Sequence, residues 1–295
     1  MKIDIECLTC LINRPIHVVR FLAKKSWPET IKFYKELLKF LIENLSEDET
    51  PAYIGSLREF FLQKYLNDPD PYKIIKVKSN EEARKIVEEL GEIINFNKIN
   101  YKNFRDALLL ATAANAMEWF IPGYEVSFDD LKKIFLEVKF NISIDDSLSL
   151  WKKIKQSKKV LYILDNAGEA IIDAEFIKHL KKIVPTIVVG VKSSPVLNDI
   201  TYDEALEIGL DKVADKVVPV SGYVGVIFKY TSEEFMKVYE SSDLVIAKGM
   251  GNYESLSEYE LEKPVYILLK AKCEPVARHL GVPRGSYVIK NLKNL

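Results

Sequence analysis

The texture of the sequence changes at Lys159, and that change restricts the folds open to the chain more than any other feature. Beyond it, short and nearly continuous apolar runs recur between turn residues: Val160 to Leu164, Thr186 to Val191, Leu244 to Ala247, Val265 to Leu269 and Tyr287 to Ile289. A strand with one wet face alternates apolar and polar residues, whereas an unbroken apolar run suits a strand covered on both faces. Helical stretches, notably Ile171 to Ile183 and Glu233 to Tyr239, separate most of these runs. Strand and helix in alternation imply an α/β fold with a mostly parallel sheet and right-handed crossovers.

The first half reads as helix after helix. Ser26-Trp27-Pro28-Glu29 has the form of a capping box, and Ile31, Tyr34, Leu38, Leu41 and Leu45 follow at helical spacing. Ser79 to Glu82 repeats the device ahead of a stripe made by Ala83, Ile86, Val87, Leu90, Ile93 and Ile94. Arg105 to Trp119 is apolar around its circumference from Ala107 to Ala114, the pattern of a buried central helix. Further helical patterns cover Phe128 to Val138 and Asp145 to Ile154, and no strand is expected between Arg14 and that point. The expected organisation is a segment 1–13 packed on the C-terminal domain, an all-helical domain 14–156, and an α/β domain 157–295 that carries the site.

Composition narrows the function classes. Hydrophobic residues at 48% and charged residues at 29% suit a packed globular protein. Lys plus Arg number 42 against 43 Asp plus Glu, so no excess of positive charge exists for a nucleic-acid backbone. No apolar run approaches the ~20 residues of a membrane span, and the charged start Met1 to Glu6 does not resemble a signal peptide. Three cysteines, Cys7, Cys10 and Cys273, are too few for a disulfide framework and fit a reducing, cytoplasmic setting.

In an open α/β sheet, ligands bind beyond the carboxyl ends of the strands. Four polar clusters fall there: Asp165 to Glu169, Lys192 to Asp199, Lys248 to Glu254, and Lys270 to Cys273. Asp165, Asn166 and Asp199 offer hard oxygen ligands suited to Mg²⁺ or Mn²⁺, provided that the chain turns after the strand so that Asp165 and Asn166 face one side. Lys248 between small residues has the composition of a phosphate site, with Gly249 and Gly251 letting backbone amides approach. Helices expected after Gly168, Ser194 and Gly251 would aim their dipoles at the same pocket. Singly, each cluster is equally readable as a helix cap or loop; together they point to an anion-binding, metal-dependent site.

The series Asp165-Asn166-Ala167-Gly168-Glu169, Ser194-Pro195-Val196-Leu197-Asn198-Asp199 and Lys248-Gly249-Met250-Gly251-Asn252-Tyr253-Glu254 resembles the DUF89 family of damage-control phosphatases, in its archaeal-type branch. The Cys7-Leu8-Thr9-Cys10 pair is similar to that branch as well. The resemblance implies a Rossmann-like three-layer α/β/α domain carrying a helical bundle. It implies a divalent ion (Mn, Co, Ni or Mg) on Asp165, Asn166 and Asp199, with Glu169 and Lys248 at the attacking water and the phosphate. Asn115 resembles the family's helical asparagine, and Glu118 stands where the family pattern has Asp. Gly168, Ser194, Asn198, Gly249, Gly251, Asn252, Glu254 and Lys270 are further candidates for contacts with a small phosphorylated metabolite.

Other readings stay open. Cys7 and Cys10 with Cys273 could form a second metal or redox site, or simply pack. His17, His179 and His279 are dispersed and suit surface or capping roles. Ser221 to Gly225 is a loop that could close over substrate. A carboxyl methyltransferase would want a glycine-rich first turn, and this one holds a single glycine. A haloacid-dehalogenase mechanism would need an acid where Ala167 stands. The remaining alternative is a non-catalytic binding module for nucleotides or phosphometabolites.

Overall fold

The computed structural model describes residues 1–92, 94–117 and 127–294; Ile93, Glu118 and Trp119, which the sequence assigns to helices, lie outside them. Seven strands form one sheet: β1 (Ile142–Asp145), β2 (Lys159–Ile163), β3 (Thr186–Val191), β4 (Lys216–Pro219), β5 (Leu244–Lys248), β6 (Val265–Lys270) and β7 (Tyr287–Asn291). Their order is β1-β7-β6-β5-β2-β3-β4, and each neighbouring pair is parallel except β6 with β7. From β2 the chain builds outward through β3 and β4, then returns to the other side of β2 with β5. That reversal creates a topological switch point between β2 and β5, where a crevice opens.

The unbroken apolar runs serve two cores. In β2, Val160 and Tyr162 point into one cluster and Leu161 and Ile163 into the other, as period-two geometry requires. On the first face lie α5 (Tyr101–Ala116), α6 (Phe128–Asn141), α7 (Ser147–Ile154) and α8 (Glu169–Leu180), joined by α4 (Lys73–Glu89) and α9 (Tyr202–Glu207). On the second lie α10 (Glu233–Ser241), α11 (Gly249–Leu256) and α12 (Glu274–Leu280). This is the expected three-layer α/β/α arrangement. A third core joins α1 (Ile5–His17), α2 (Trp27–Asn44) and α3 (Pro51–Leu66) to Val196, Leu197 and Val224, which belong to the loops after β3 and β4. The N-terminal helices therefore cover the loop edge of the sheet, where the polar clusters lie.

Three local expectations need correction. β1 arises inside the stretch read as wholly helical: Ile142-Ser143-Ile144-Asp145 alternates half-buried and exposed residues, and an edge strand so short carries little signal. Ser79 does not cap a helix, because α4 already runs from Lys73, and its hydroxyl donates back to the Ile75 carbonyl at 2.9 Å. No helix opens after Ser194. Residues 193–199 form turns in which Leu197 takes a left-handed backbone (φ 51°), a conformation costing about 1–2 kcal/mol for a side-chain-bearing residue. Burial of Leu197 and Val196 under the N-terminal helices offsets it. The apolar-all-round helix is found as expected: α5 is buried from Asn103 and Phe104 through Asp106 to Ala116, with Arg105 half-buried.

Candidate active site at the switch point of the sheet

Asp165 and Asn166 follow β2 where the chain has left the sheet, and their side chains turn to one side. Asn166 Nδ2 donates to Asp165 Oδ2 at 2.8 Å and to Glu169 Oε2 at 3.0 Å. Asn115, near the end of α5, reaches the same place: its Nδ2 donates to Asp165 Oδ2 at 3.1 Å and to both oxygens of Glu169 at 3.1 and 3.0 Å. Asp199 arrives by backbone pairing. A bridge joins Asn166 to Asp199, Ala167 N–H donates to the Asn198 carbonyl at 2.9 Å, and Ile200 N–H donates to the Asp165 carbonyl at 2.9 Å. Five residues from three separate stretches of the chain thus converge at the crevice.

Two glycines make the convergence possible. Gly168 opens α8 with φ 75°, and its N–H donates to Asn80 Oδ1 of α4 at 2.7 Å. Gly249 has φ 82°, and a Cβ there would overlap the Asp165 carboxylate. A Gly249→Ala variant should therefore displace Asp165 and lower catalysis on the order of 100-fold, since misplacement by an ångström costs that much. Steady-state kinetics beside a melting curve checks this; unchanged kcat would contradict it.

Lys248 departs from the sequence expectation. Its ammonium is fully buried, within 2.6 Å of Glu169 Oε1 and 2.8 and 2.9 Å of the two Asp173 oxygens, and it also donates to the Ala111 carbonyl at 2.9 Å. It lies behind Glu169 rather than at an open phosphate position. Burial acts against its charge, but Asp173 and Glu169 outweigh that effect and raise its pKa. One cation faces two carboxylates, and burial lifts Asp173 to about 7. Tyr162 completes the group by donating to Asp173 Oδ1 at 2.8 Å.

Nearer the crevice, negative charge is in excess. Burial, then the charges of Asp199 and Glu169, push the Asp165 pKa well above the usual carboxylate range, against the pull of Lys192 and Lys272. Burial also lifts Asp199 to about 6, with the Lys192 and Arg14 cations opposing. Lys192, itself buried, lies 3.6 Å from Asp199 and donates to the Gly225 carbonyl at 2.9 Å. A divalent cation is the kind of charge this site lacks, and the donor set is hard oxygen. Among the described residues no three His, Cys, Asp or Glu side chains form a ready-made metal cluster. The set at the crevice is two carboxylates and an amide, leaving much of an octahedron to water and substrate. Asn166 presents Nδ2 toward the carboxylates, so it fits as a ligand with its amide turned over to present Oδ1.

The other expected residues take up varied places. Asn252 Nδ2 donates to the Lys248 carbonyl at 2.7 Å, leaving its buried Oδ1 without a partner. Gly251 packs against Val224, exposed Ser194 faces Gly222 across the 221–225 loop, and Asn198 contributes its carbonyl. That loop is held on both sides, Val224 N–H by Ser56 and Val226 N–H by Ser255. Lys270 contributes its N–H, which donates to Asn115 Oδ1 at 3.4 Å. His179 is buried, not superficial, and its Nδ1 pairs with the Phe96 carbonyl at 2.9 Å. Glu118 lies outside the described residues.

Glu254 and the cysteines form a separate region where the N-terminus folds back on the α/β domain. The Met1 ammonium donates to the Glu254 carbonyl at 2.7 Å, and Arg278 bridges Asp4 and Glu6 at 3.0 and 2.8 Å. Cys7 and Cys10 lie on α1, and Cys273 caps α12; all three are free thiols. Burial pushes the Cys7 thiol up to about 11, which leaves little thiolate for redox chemistry at neutral pH. Burial also lifts the Glu254 carboxyl from 4.5 to about 7, against the terminal ammonium and Arg14. The folded chain keeps a proton that the unfolded chain releases, so this carboxyl costs stability as pH rises from 4.5 through 7. Glu254→Gln should raise stability at pH 8 by roughly 1–3 kcal/mol and by little at pH 4. Denaturant melts at the two pH values check this; an equal gain at both would refute it.

The sequence alone could not have supplied Asn80 or Arg14, which sit on helices remote from any strand end. Asp173 and Lys192 did carry signals: an acid one turn after Glu169 in an apolar helix, and a lysine immediately after a strand. A family model described as the damage-control phosphatase ARMT1-like domain matches residues 3–288. A damage-control phosphatase of Pyrococcus horikoshii is 34% identical over 98% of this chain and 97% of its own length. One of Archaeoglobus fulgidus is 31% identical over 98% and 99%, and an uncharacterized protein of Methanocaldococcus jannaschii is 36% identical over 98% and 95%. The crystal structure of a DUF89 family protein from Pyrococcus horikoshii superposes with a TM-score of 0.89 at 33% identity, covering 99% of this chain and all of that one. With the switch-point crevice and its acid–amide set, this places the chain in the damage-control phosphatase family with an ARMT1-like domain.

Proposed function

We propose that the chain hydrolyses small phosphorylated metabolites, such as sugar phosphates or damaged phosphometabolites, with a divalent cation held by Asp165, Asn166 and Asp199. The observation that carries this reading is the convergence of those three residues where excess buried charge raises the Asp165 and Asp199 pKa values. The names of the relatives from Pyrococcus horikoshii and Archaeoglobus fulgidus support the reaction class. When bound, the cation would supply Lewis acidity at the phosphate and its attacking water. The protein's own groups do the rest. Lys192 and Lys272, the cations acting most strongly on Asp165, would offset the charge of the phosphoryl group. Glu169 has both oxygens engaged by Asn115, Asn166 and Lys248, so it acts as a positioning residue for the two amides.

Nothing favours the methyltransferase reading: the first turn after β2 is filled by Asp165 and Asn166, and the Gly168 amide is taken by Asn80. The free thiols fit a cytoplasmic location, and among the described residues no helix is long and apolar enough to cross a membrane. The test is phosphate release from p-nitrophenyl phosphate by protein stripped with chelator and then given Mn²⁺, Co²⁺, Ni²⁺ or Mg²⁺. Restoration by at least one ion supports the reading. Turnover indifferent to chelation, or none with any ion, refutes it.

A further inference from the structure

A cavity of about 370 Å³ opens beside the candidate active site, lined by Ala116, Lys270, Lys272, Arg284 and Gly285. Three of its five lining residues are cations, and no carboxylate lines it among the described residues. A lining of positive charge without an acid favours an anion there, and it contrasts with cations that face acids elsewhere. Lys181 faces Asp215, Lys216 faces Glu234, and Arg278 faces two carboxylates. Lys270 instead holds its ammonium 5.0 Å from the centre of the Tyr287 ring, and Arg284 donates from Nε to the Lys272 carbonyl at 3.1 Å. Neither makes an ion pair among the described residues, so the Arg284 fork keeps its terminal N–H groups for an anion.

The cavity adjoins the reacting centre without being the same place. Asn115 bonds Asp165 through its Nδ2 and accepts the Lys270 N–H through its Oδ1, so one side chain stands between the two. Lys272 is among the charges acting most strongly on Asp165, whereas Lys270 and Arg284 are not. The volume suits a small metabolite rather than a lone ion. We infer that Lys270 and Arg284 bind a second anionic group, a carboxylate or another phosphate, at the far end of a substrate whose reacting phosphate lies at Asp165. This rests on the phosphatase reading above and deepens it: the preferred substrates are short metabolites with two anionic ends.

The experiment compares kcat/KM of the metal-loaded enzyme for glucose 6-phosphate, 6-phosphogluconate and fructose 1,6-bisphosphate, with p-nitrophenyl phosphate as reference. At least one two-anion substrate should exceed glucose 6-phosphate by at least about tenfold, mainly through KM, as expected for charge-assisted hydrogen bonds. Which of the two does so tells carboxylate from phosphate. Arg284→Gln and Lys270→Gln should each bring that ratio close to one, and Arg284→Lys should keep part of it. A wild-type ratio near one overturns the inference while leaving the phosphatase reading intact. So does an equal loss in the variants on every substrate including p-nitrophenyl phosphate, which would assign the cavity to the reacting phosphate. Absence of any turnover in the wild type removes both.

Discussion

Asp165→Asn should reduce metal-stimulated phosphate release on the order of 10³-fold while raising the melting temperature of the metal-free protein. The two effects have one cause. In the metal-free chain Asp165 is lifted far above its ordinary pKa by burial and by the charges of Asp199 and Glu169. An acid whose pKa is raised on folding supports the fold only below its unfolded value of 3.8 and loses that support as pH rises through the folded value. Removing the charge relieves repulsion at neutral pH and also removes a ligand. Wild-type protein should therefore gain stability with added Mn²⁺, about 2.7 kcal/mol at a concentration one hundred times the dissociation constant, and the variant should gain much less. Melting curves with and without the ion read both signs. A variant that is less stable without metal, or equally stabilised by it, would mean that the carboxylate is held for another reason.

Lys248→Met should cost about 3–5 kcal/mol, because it leaves Glu169 and Asp173 buried without a counter-charge. In a chain of this size that corresponds to a fall in melting temperature on the order of 10 °C. The loss should shrink at low pH, where Asp173, lifted to about 7 by burial, takes up a proton and no longer needs the ammonium. Adding Asp173→Asn to the variant should recover part of the stability for the same reason. If Lys248→Met instead melts within a degree or two of the wild type and loses only activity, then the lysine reaches the phosphate, as its place at the end of β5 suggests from sequence.

The contrast between Lys248 and Asp165 shows what this sequence discloses and what it withholds. Strand ends are legible, because doubly covered strands are unbroken apolar runs, and so Asp165, Asp199 and Lys248 could be placed at one edge of one sheet. The direction of each side chain is not. Lys248 occupies the last residue of β5, and one position decides whether its ammonium meets solvent or the core between α5 and α8. Asn80, which holds the Gly168 amide, and Asn115, which holds both Asp165 and Glu169, reach the site from helices 88 and 50 residues away in the chain. Helical periodicity reports which face of α4 or α5 is apolar, but not which polar residue at its end faces the crevice. β1 was hidden for a different reason: at an exposed edge, a four-residue strand has too few buried positions to leave a pattern.

The account stands most directly on the claim that Asp165, Asn166 and Asp199 share a single cation. Crystals grown with Mn²⁺ and inorganic phosphate, measured near the manganese absorption edge, would locate it. The expected result is an anomalous peak at the crevice, bonded to both carboxylates and to Asn166 Oδ1 after the amide turns over, at about 2.0–2.3 Å. Phosphate should lie on the side of Lys192 and Lys272. A crevice without a peak at saturating Mn²⁺, or a peak bound only at the cysteines or at Glu254, would contradict it.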